Sequence, residues 1–294
     1  MKDILSHFIL YIKFDLRLSN NTVISYNNDL NKYVSYLRGK SILVPNKISS
    51  KNIRNFISEL SLKEYKPATV NRIISSIKKF HLYMIDNEFI DSNPSELIES
   101  QKNRRNFPDT LSFEEITMIL DSIDITNFIG IRDKSILTML YSTGIRVSEL
   151  LNLKLSNIYF KEEYIQISGK GKKERIVPIG IIAKKMLLSY LDLIRKKSII
   201  NDTGYIYISY RSKRLTRMSI YNIIKKYSNL VGVDKKVSPH TFRHSFATHM
   251  LEGGADLRIV QELLGHENIN TTEIYTHLDS TYLKEVHKLC HPRG

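Results

Sequence analysis

The chain has 294 residues, 42% of them hydrophobic, and its 44 lysines and arginines outnumber 30 aspartates and glutamates to give a formal net charge of +14. That length suggests two domains, and a positive excess spread along apolar, tyrosine-bearing segments is the footprint of a protein that covers phosphate backbone. No stretch approaches ~18 consecutive apolar residues and no basic amphipathic helix stands apart, which argues against a membrane partner, while the single Cys290 excludes an internal disulfide and a cysteine zinc site.

The first residues lack a long apolar core with a small-residue cleavage site, so no signal peptide is expected and a cytoplasmic location follows. Four helices are expected in the first hundred residues. A short one falls near residues 4–15. In the second, Tyr26, Leu30, Tyr33 and Leu37 share a face. A third lies near residues 50–61, and Pro67 opens a fourth, with Val70, Ile73, Ile74, Ile77 and Phe80 along one stripe. The pattern then fails in a polar, basic stretch that contains Pro108. The expected organisation is therefore a helical domain over residues 1–98, a linker over 99–110 and a second domain over 111–294.

Ser112-Phe113-Glu114-Glu115 has the spacing of a capping box and opens the second domain. Past Leu153 the period changes to the alternation of a strand in Tyr164-Ile165-Gln166-Ile167. A glycine-containing turn and Arg175-Ile176-Val177 follow, which places Lys170 at the tip of a β-hairpin. Helix returns over 181–195. Ser238-Pro239 reads as an N-cap and first helical residue, so His240 and Arg243 share one face of the next helix. Leu257, Val260, Leu263 and Leu264 make a further helix that stops at Gly265, leaving His266 just past its end. Tyr275 follows Thr271-Thr272, an expected N-cap, on another short helix. Tyr282, Leu283, Val286 and Leu289 form a last apolar stripe.

Taken singly, these polar residues read as packing or surface groups. Together and in this order they carry a resemblance. Arg146 lies in Thr143-Gly144-Ile145-Arg146-Val147-Ser148-Glu149-Leu150 and Lys170 in Gly169-Lys170-Gly171-Lys172-Lys173-Glu174-Arg175. His240 and Arg243 lie in Ser238-Pro239-His240-Thr241-Phe242-Arg243-His244, His266 in Leu263-Leu264-Gly265-His266, and Tyr275 in Thr272-Glu273-Ile274-Tyr275-Thr276-His277. The set resembles the tyrosine recombinases of the phage integrase family, in their Xer branch. The tail His291-Pro292-Arg293-Gly294 inclines the reading to the XerD over the XerC type.

The resemblance implies a fold that is mainly α with a small β-sheet: a helical, SAM-like core-binding domain and a mixed α/β catalytic domain that clamp duplex DNA. The segment from Leu18 to Leu30 is similar to the family's first clamp helix. The implied chemistry also makes physical sense. A metal-free attack on a phosphodiester must answer the charge growing on the non-bridging oxygens with fixed donors, and the planar guanidinium suits that task. Arg146 and Arg243 are the expected clamp, with His266 adding a donor. Tyr275 is the expected nucleophile, which needs a base because its free pKa is about 10; His240 is that base. Lys170 is the expected acid for the leaving 5′ oxygen, with Lys172 and Lys173 as rivals on the same turn. Glu149 reads as a hydrogen-bonding support in the family and equally as an ordinary helix-surface charge. His244 and His249 are expected to be structural.

The function expected is metal-independent, cofactor-free cutting and rejoining of DNA at a specific site through a 3′-phosphotyrosyl intermediate. The resemblance implies resolution of chromosome dimers at a dif-like site during cell division. Its expected partners are a second recombinase of the XerC type or the chain itself, as a tetramer on two DNA sites, and an FtsK-type DNA translocase that acts on the C-terminal tail. The resemblance favours a tail that passes into the next protomer, with a helix packed on its own domain as the other reading. Alternatives are an integrase of a mobile element, disfavoured because the chain begins directly with the core-binding helices, and a DNA-binding protein without chemistry. A metal-dependent nuclease would need a carboxylate cluster, and none stands at a persuasive spacing.

Overall fold

The computed structural model describes residues 1–101, 110–168, 174–192, 204–209, 211, 213–265 and 280–294. The chain divides into two compact units, Met1–Asn106 and Phe107–Gly294. Most of the expected linker, the expected hairpin tip with Lys170, the end of the expected helix over 181–195, and the segment with His266 and Tyr275 lie outside the described residues.

The first unit holds the four expected helices: α1 (Lys2–Phe14), α2 (Asn20–Gly39), α3 (Ser50–Leu62) and α4 (Pro67–Asp86). Their starts are set by local chemistry. Ser19 caps α2 by accepting from the Thr22 amide, and Ser49 and Asn52 form a reciprocal capping box on α3. Proline opens α4, where its missing N–H costs nothing. The expected faces are the buried ones. Leu30, Tyr33 and Leu37 of α2 and Val70, Ile73, Ile74, Ile77 and Phe80 of α4 are all at most 1% exposed. Each such side chain contributes about 1.5–3 kcal/mol relative to exposure. Two polar contacts cross this core. Tyr33 Oη and His81 Nε2 lie 3.0 Å apart, and the α2 carboxylate of Asp29 takes Arg72 and Ser76 of α4.

In the second unit, Ser112 and Glu115 form the expected capping box on α5 (Phe113–Asp121). The long α6 (Phe128–Thr143) runs through the core, with Ile136, Leu137, Met139, Leu140 and Tyr141 buried. It ends at Gly144, whose left-handed φ of 58° and close approach to Phe246 both require glycine. A short α7 (Val147–Asn152) leads into a three-stranded antiparallel sheet of β1 (Ile158–Tyr159), β2 (Tyr164–Ser168) and β3 (Glu174–Pro178), in that order. The β2–β3 register runs from Tyr164↔Pro178 to Ser168↔Glu174. Then come α8 (Ile181–Tyr190), α9 (Arg217–Leu230), α10 (Pro239–Glu252), α11 (Leu257–Leu264) and α12 (Ser280–Cys290).

The terminal helix corrects one expectation. Leu283 is 3% exposed and Val286 is partly buried, but Tyr282 is 46% and Leu289 82% exposed. The face that packs is Leu283, Val286 and His287, with His291 beyond the helix end. Apolarity alone marked the wrong stripe because two of the buried positions are histidines. Their burial is met by specific contacts. His287 Nε2 lies 2.7 Å from the Ser142 carbonyl, and the two imidazoles stack at 4.9 Å. The tail therefore packs on its own catalytic unit, and Cys290 lies partly buried against the same cluster.

Candidate active site

Two arginines hold one carboxylate, and a third lies beside them. Arg146 is the residue before α7, Arg175 lies on β3 and Arg243 is in the second turn of α10. Glu149, at the third position of α7, reaches back so that the Arg146 backbone N–H donates to its Oε2 at 2.7 Å, half of a capping box. The Arg146 guanidinium donates to Oε1 at 3.0 Å. Arg175 completes the arrangement with a two-pronged bridge, 2.9 Å to Oε1 and 2.8 Å to Oε2. The Glu149 side chain is only 8% exposed. It is thus not a helix-surface charge.

The arginines also share a second set of acceptors. The last carbonyls of a helix lack intrahelical partners and carry the negative end of its dipole. At the end of α11 three successive carbonyls each receive one arginine. Leu263 accepts from Arg175 Nε at 2.9 Å, Leu264 from Arg243 Nη2 at 2.6 Å and Gly265 from Arg146 Nη2 at 3.0 Å. Arg243 Nη1 donates in addition to the carbonyl of Gly144, at 2.7 Å. The two glycines that end α6 and α11 thereby become the walls of the site. Gly265 sits at φ 66°, and a side chain there would press on the Arg175 guanidinium, 3.0 Å from the position of its Cβ.

The electrostatics are unbalanced. Three guanidiniums against one carboxylate leave a surplus of two positive charges among these side chains. Burial and then the like charge of Arg146, with Arg175 adding and Glu149 opposing, hold the Arg243 guanidinium down to about 10. It stays charged at neutral pH. Burial pushes the Glu149 carboxyl up, yet the Arg175 hydrogen bonds and charge, followed by the Arg146 amide and side chain, outweigh it and hold the group below the usual carboxylate range. Arg146 keeps 41% of its side chain exposed, so part of the surplus faces solvent. A guanidinium so exposed, with a second one close by, can receive a tetrahedral oxyanion.

Of the residues singled out in the sequence, Arg146, Arg243 and Glu149 are brought together. His240 is exposed on the first turn of α10, the helix that carries Arg243. Lys170, His266 and Tyr275 lie outside the described residues; Ser168, two positions before Lys170, ends β2, and Gly265, directly before His266, is held by Arg146. His249 is structural as expected, its Nδ1 2.8 Å from the buried Tyr141 hydroxyl, whereas His244 is exposed. Arg175 was missed as a site residue. The signal available was its position in a strand, inward at the foot of a basic turn, where an arginine needs an acidic partner.

This fold is that of a known class of DNA-processing proteins. Residues 109–281 match the phage integrase family and residues 5–88 its N-terminal SAM-like domain. The chain belongs to that family, the tyrosine recombinases, enzymes of site-specific DNA recombination. Its relatives include the tyrosine recombinase XerD of Chlorobaculum tepidum, 41% identical over 99% of this chain and 96% of that one. Tyrosine recombinase XerC of Thermodesulfovibrio yellowstonii is 39% identical over 98% of this chain and 96% of that one. A crystal structure of the XerH site-specific recombinase bound to difH substrate, a pre-cleavage complex, shares the fold at a TM-score of 0.69 and 24% identity, covering 91% of this chain and 78% of that one.

Proposed function

We propose that the chain resolves chromosome dimers by recombining two copies of a dif-like DNA site, acting within the cytoplasm as a tetramer with a recombinase of the XerC type or with further copies of itself. The observation that carries the chemistry is the surplus of two positive charges that Arg146, Arg175 and Arg243 leave over the single Glu149 carboxylate. Holding like charges together in a half-buried site is costly unless an anion completes it, and a DNA phosphate is that anion.

In this reading Arg146, Arg243 and His266 donate to the non-bridging oxygens. His240 takes the phenol proton of Tyr275 as its oxygen bonds to phosphorus. The bond from phosphorus to the 5′ oxygen breaks, and Lys170 protonates that oxygen. The resulting 3′-phosphotyrosyl ester retains the bond energy, so attack by the 5′ hydroxyl of the partner strand rejoins the DNA by the reverse route. Glu149 orients Arg146. No step draws on a metal or cofactor, and cleavage is expected to persist in a chelator. The resemblance to XerD adds an FtsK-type translocase as the signal, acting on the tail.

The test is a covalent adduct. The Tyr275→Phe protein is used to retain its site from sheared genomic DNA, and that sequence is rebuilt as a nicked duplex from which the short cleaved fragment diffuses away. The wild type should form a detergent-stable protein–DNA adduct and Tyr275→Phe none. An adduct with the phenylalanine variant would overturn the assignment.

A further inference from the structure

We infer that Arg175 is a positioning residue of the recombination site, setting the Arg146 clamp through Glu149 and fixing the point from which the chain leaves α11. The inference rests on the reading of Arg146 as a phosphate ligand. Its geometry is independent of that reading. Arg175 commits three donors to protein: Nη1 and Nη2 to the two oxygens of Glu149 at 2.9 and 2.8 Å, and Nε to the Leu263 carbonyl at 2.9 Å. It is 11% exposed, against 41% for Arg146. An arginine so buried and so fully engaged is not itself open to a phosphate.

Its bonds instead set the neighbours. A carboxylate gripped on both oxygens cannot turn, so the Arg146 Nη1 and backbone N–H that also bind Glu149 are held in one orientation. The bond to Leu263, beside those from Arg243 to Leu264 and Arg146 to Gly265, ties the end of α11 to the same carboxylate. Residue 266 follows directly. Arg175 also stands one residue into β3, five positions after Lys170 in the sequence. One side chain thus links the clamp, the end of α11 and β3. The charged groups facing Glu149 are Arg146 from the α6–α7 turn, Arg175 from β3 and Arg243 from α10.

The experiment uses the full chain and the nicked duplex described above, with single-turnover rate constants at saturating DNA, which read only folded, bound molecules. Arg175→Ala should slow adduct formation about 10- to 100-fold, the scale on which partners that orient site ligands act, with DNA affinity nearly unchanged. Arg175→Lys, which keeps one charged bond, should recover part of the loss. Because Arg175 acts through Glu149, the Arg175→Ala/Glu149→Gln double variant should be no slower than the slower single variant. The part of the acid limb of the pH–rate profile that Glu149 contributes, beside that of the His240 base, should move to higher pH in Arg175→Ala, where Glu149 has lost its main partner, and be absent when Glu149→Gln is added. A wild-type rate for Arg175→Ala, or losses that multiply in the double variant, would overturn the inference. Arg146→Ala separates it from its foundation. Wild-type cleavage by that variant sinks the phosphate-clamp reading itself, whereas a slow Arg146→Ala beside a fast Arg175→Ala sinks only the role of Arg175.

Discussion

Each unit of the molecule buries a helix carboxylate against arginine, and the two arrangements differ in charge balance. In the helical unit Asp29, 1% exposed, meets Arg72 and the Ser76 hydroxyl, so one acid faces one base. In the catalytic unit Glu149 is nearly as buried but shares its neighbourhood with Arg146, Arg175 and Arg243. A balanced pair that spans two helices fixes how they pack. A surplus of cations does something else, since folding alone gains nothing from two charges in excess of their acid. In the function proposed above, the first is a structural ion pair and the second a site for an anion.

The sharpest way to break this comparison is to remove the surplus. Arg243→Ala and Arg146→Ala should each slow single-turnover cleavage by at least ~10²-fold, the usual scale for losing an oxyanion donor, while single-site DNA binding measured by gel shift survives. Comparable losses from Arg72→Ala in the same cleavage assay would erase the distinction between the two units.

Removing the acid tests the same contrast through stability. Glu149→Gln leaves three arginines without their shared counter-charge and should cost about 3–5 kcal/mol, the scale for breaking a buried pair, read from denaturant unfolding. The sign with pH follows from the direction of the shift. Because the folded carboxyl is held low, its contribution is present above the usual carboxylate range and is lost as pH falls through the lowered folded value. Acid unfolding of Glu149→Gln should therefore lack that component. Asp29→Asn should lower Tm yet leave the cleavage rate constant at saturating DNA unchanged, and a cleavage defect there would give the helical pair a part in the chemistry.

The smallest effect belongs to His81. Burial holds its imidazole down to about 4 from the ordinary 6.5. It contributes stability that is present above 6.5 and lost as pH falls through about 4. The ring-proton resonance that disappears in His81→Gln should show no titration step near 6.5. A step there would mean that the ring is solvated and the helical core looser than its packing indicates.

Much of the architecture follows from local rules. Ser112 and Ser238 cap the helices that they were expected to cap, and the stripes of α2 and α4 are the buried faces, because a helix start needs acceptors for its free N–H groups and an apolar face must leave water. The same rules failed on α12. There the buried face carries His287, leading on to His291, and hydropathy cannot register a histidine whose polarity is met by a carbonyl from α6.

By itself the sequence determined the four helices of the first unit, the two strands that end at Ser168 and begin at Glu174, and which polar residue types could serve phosphate chemistry, since capping, periodicity and side-chain chemistry act over a few neighbouring positions. Only the tertiary structure decided that Glu149 is buried, that Arg175 holds it, and that three arginines separated by up to 97 residues (243 − 146) bind consecutive carbonyls of one helix end. Those facts depend on where α6, β3, α10 and α11 come to rest. Their placement is fixed by packing in a core to which every element contributes, and no local pattern records it.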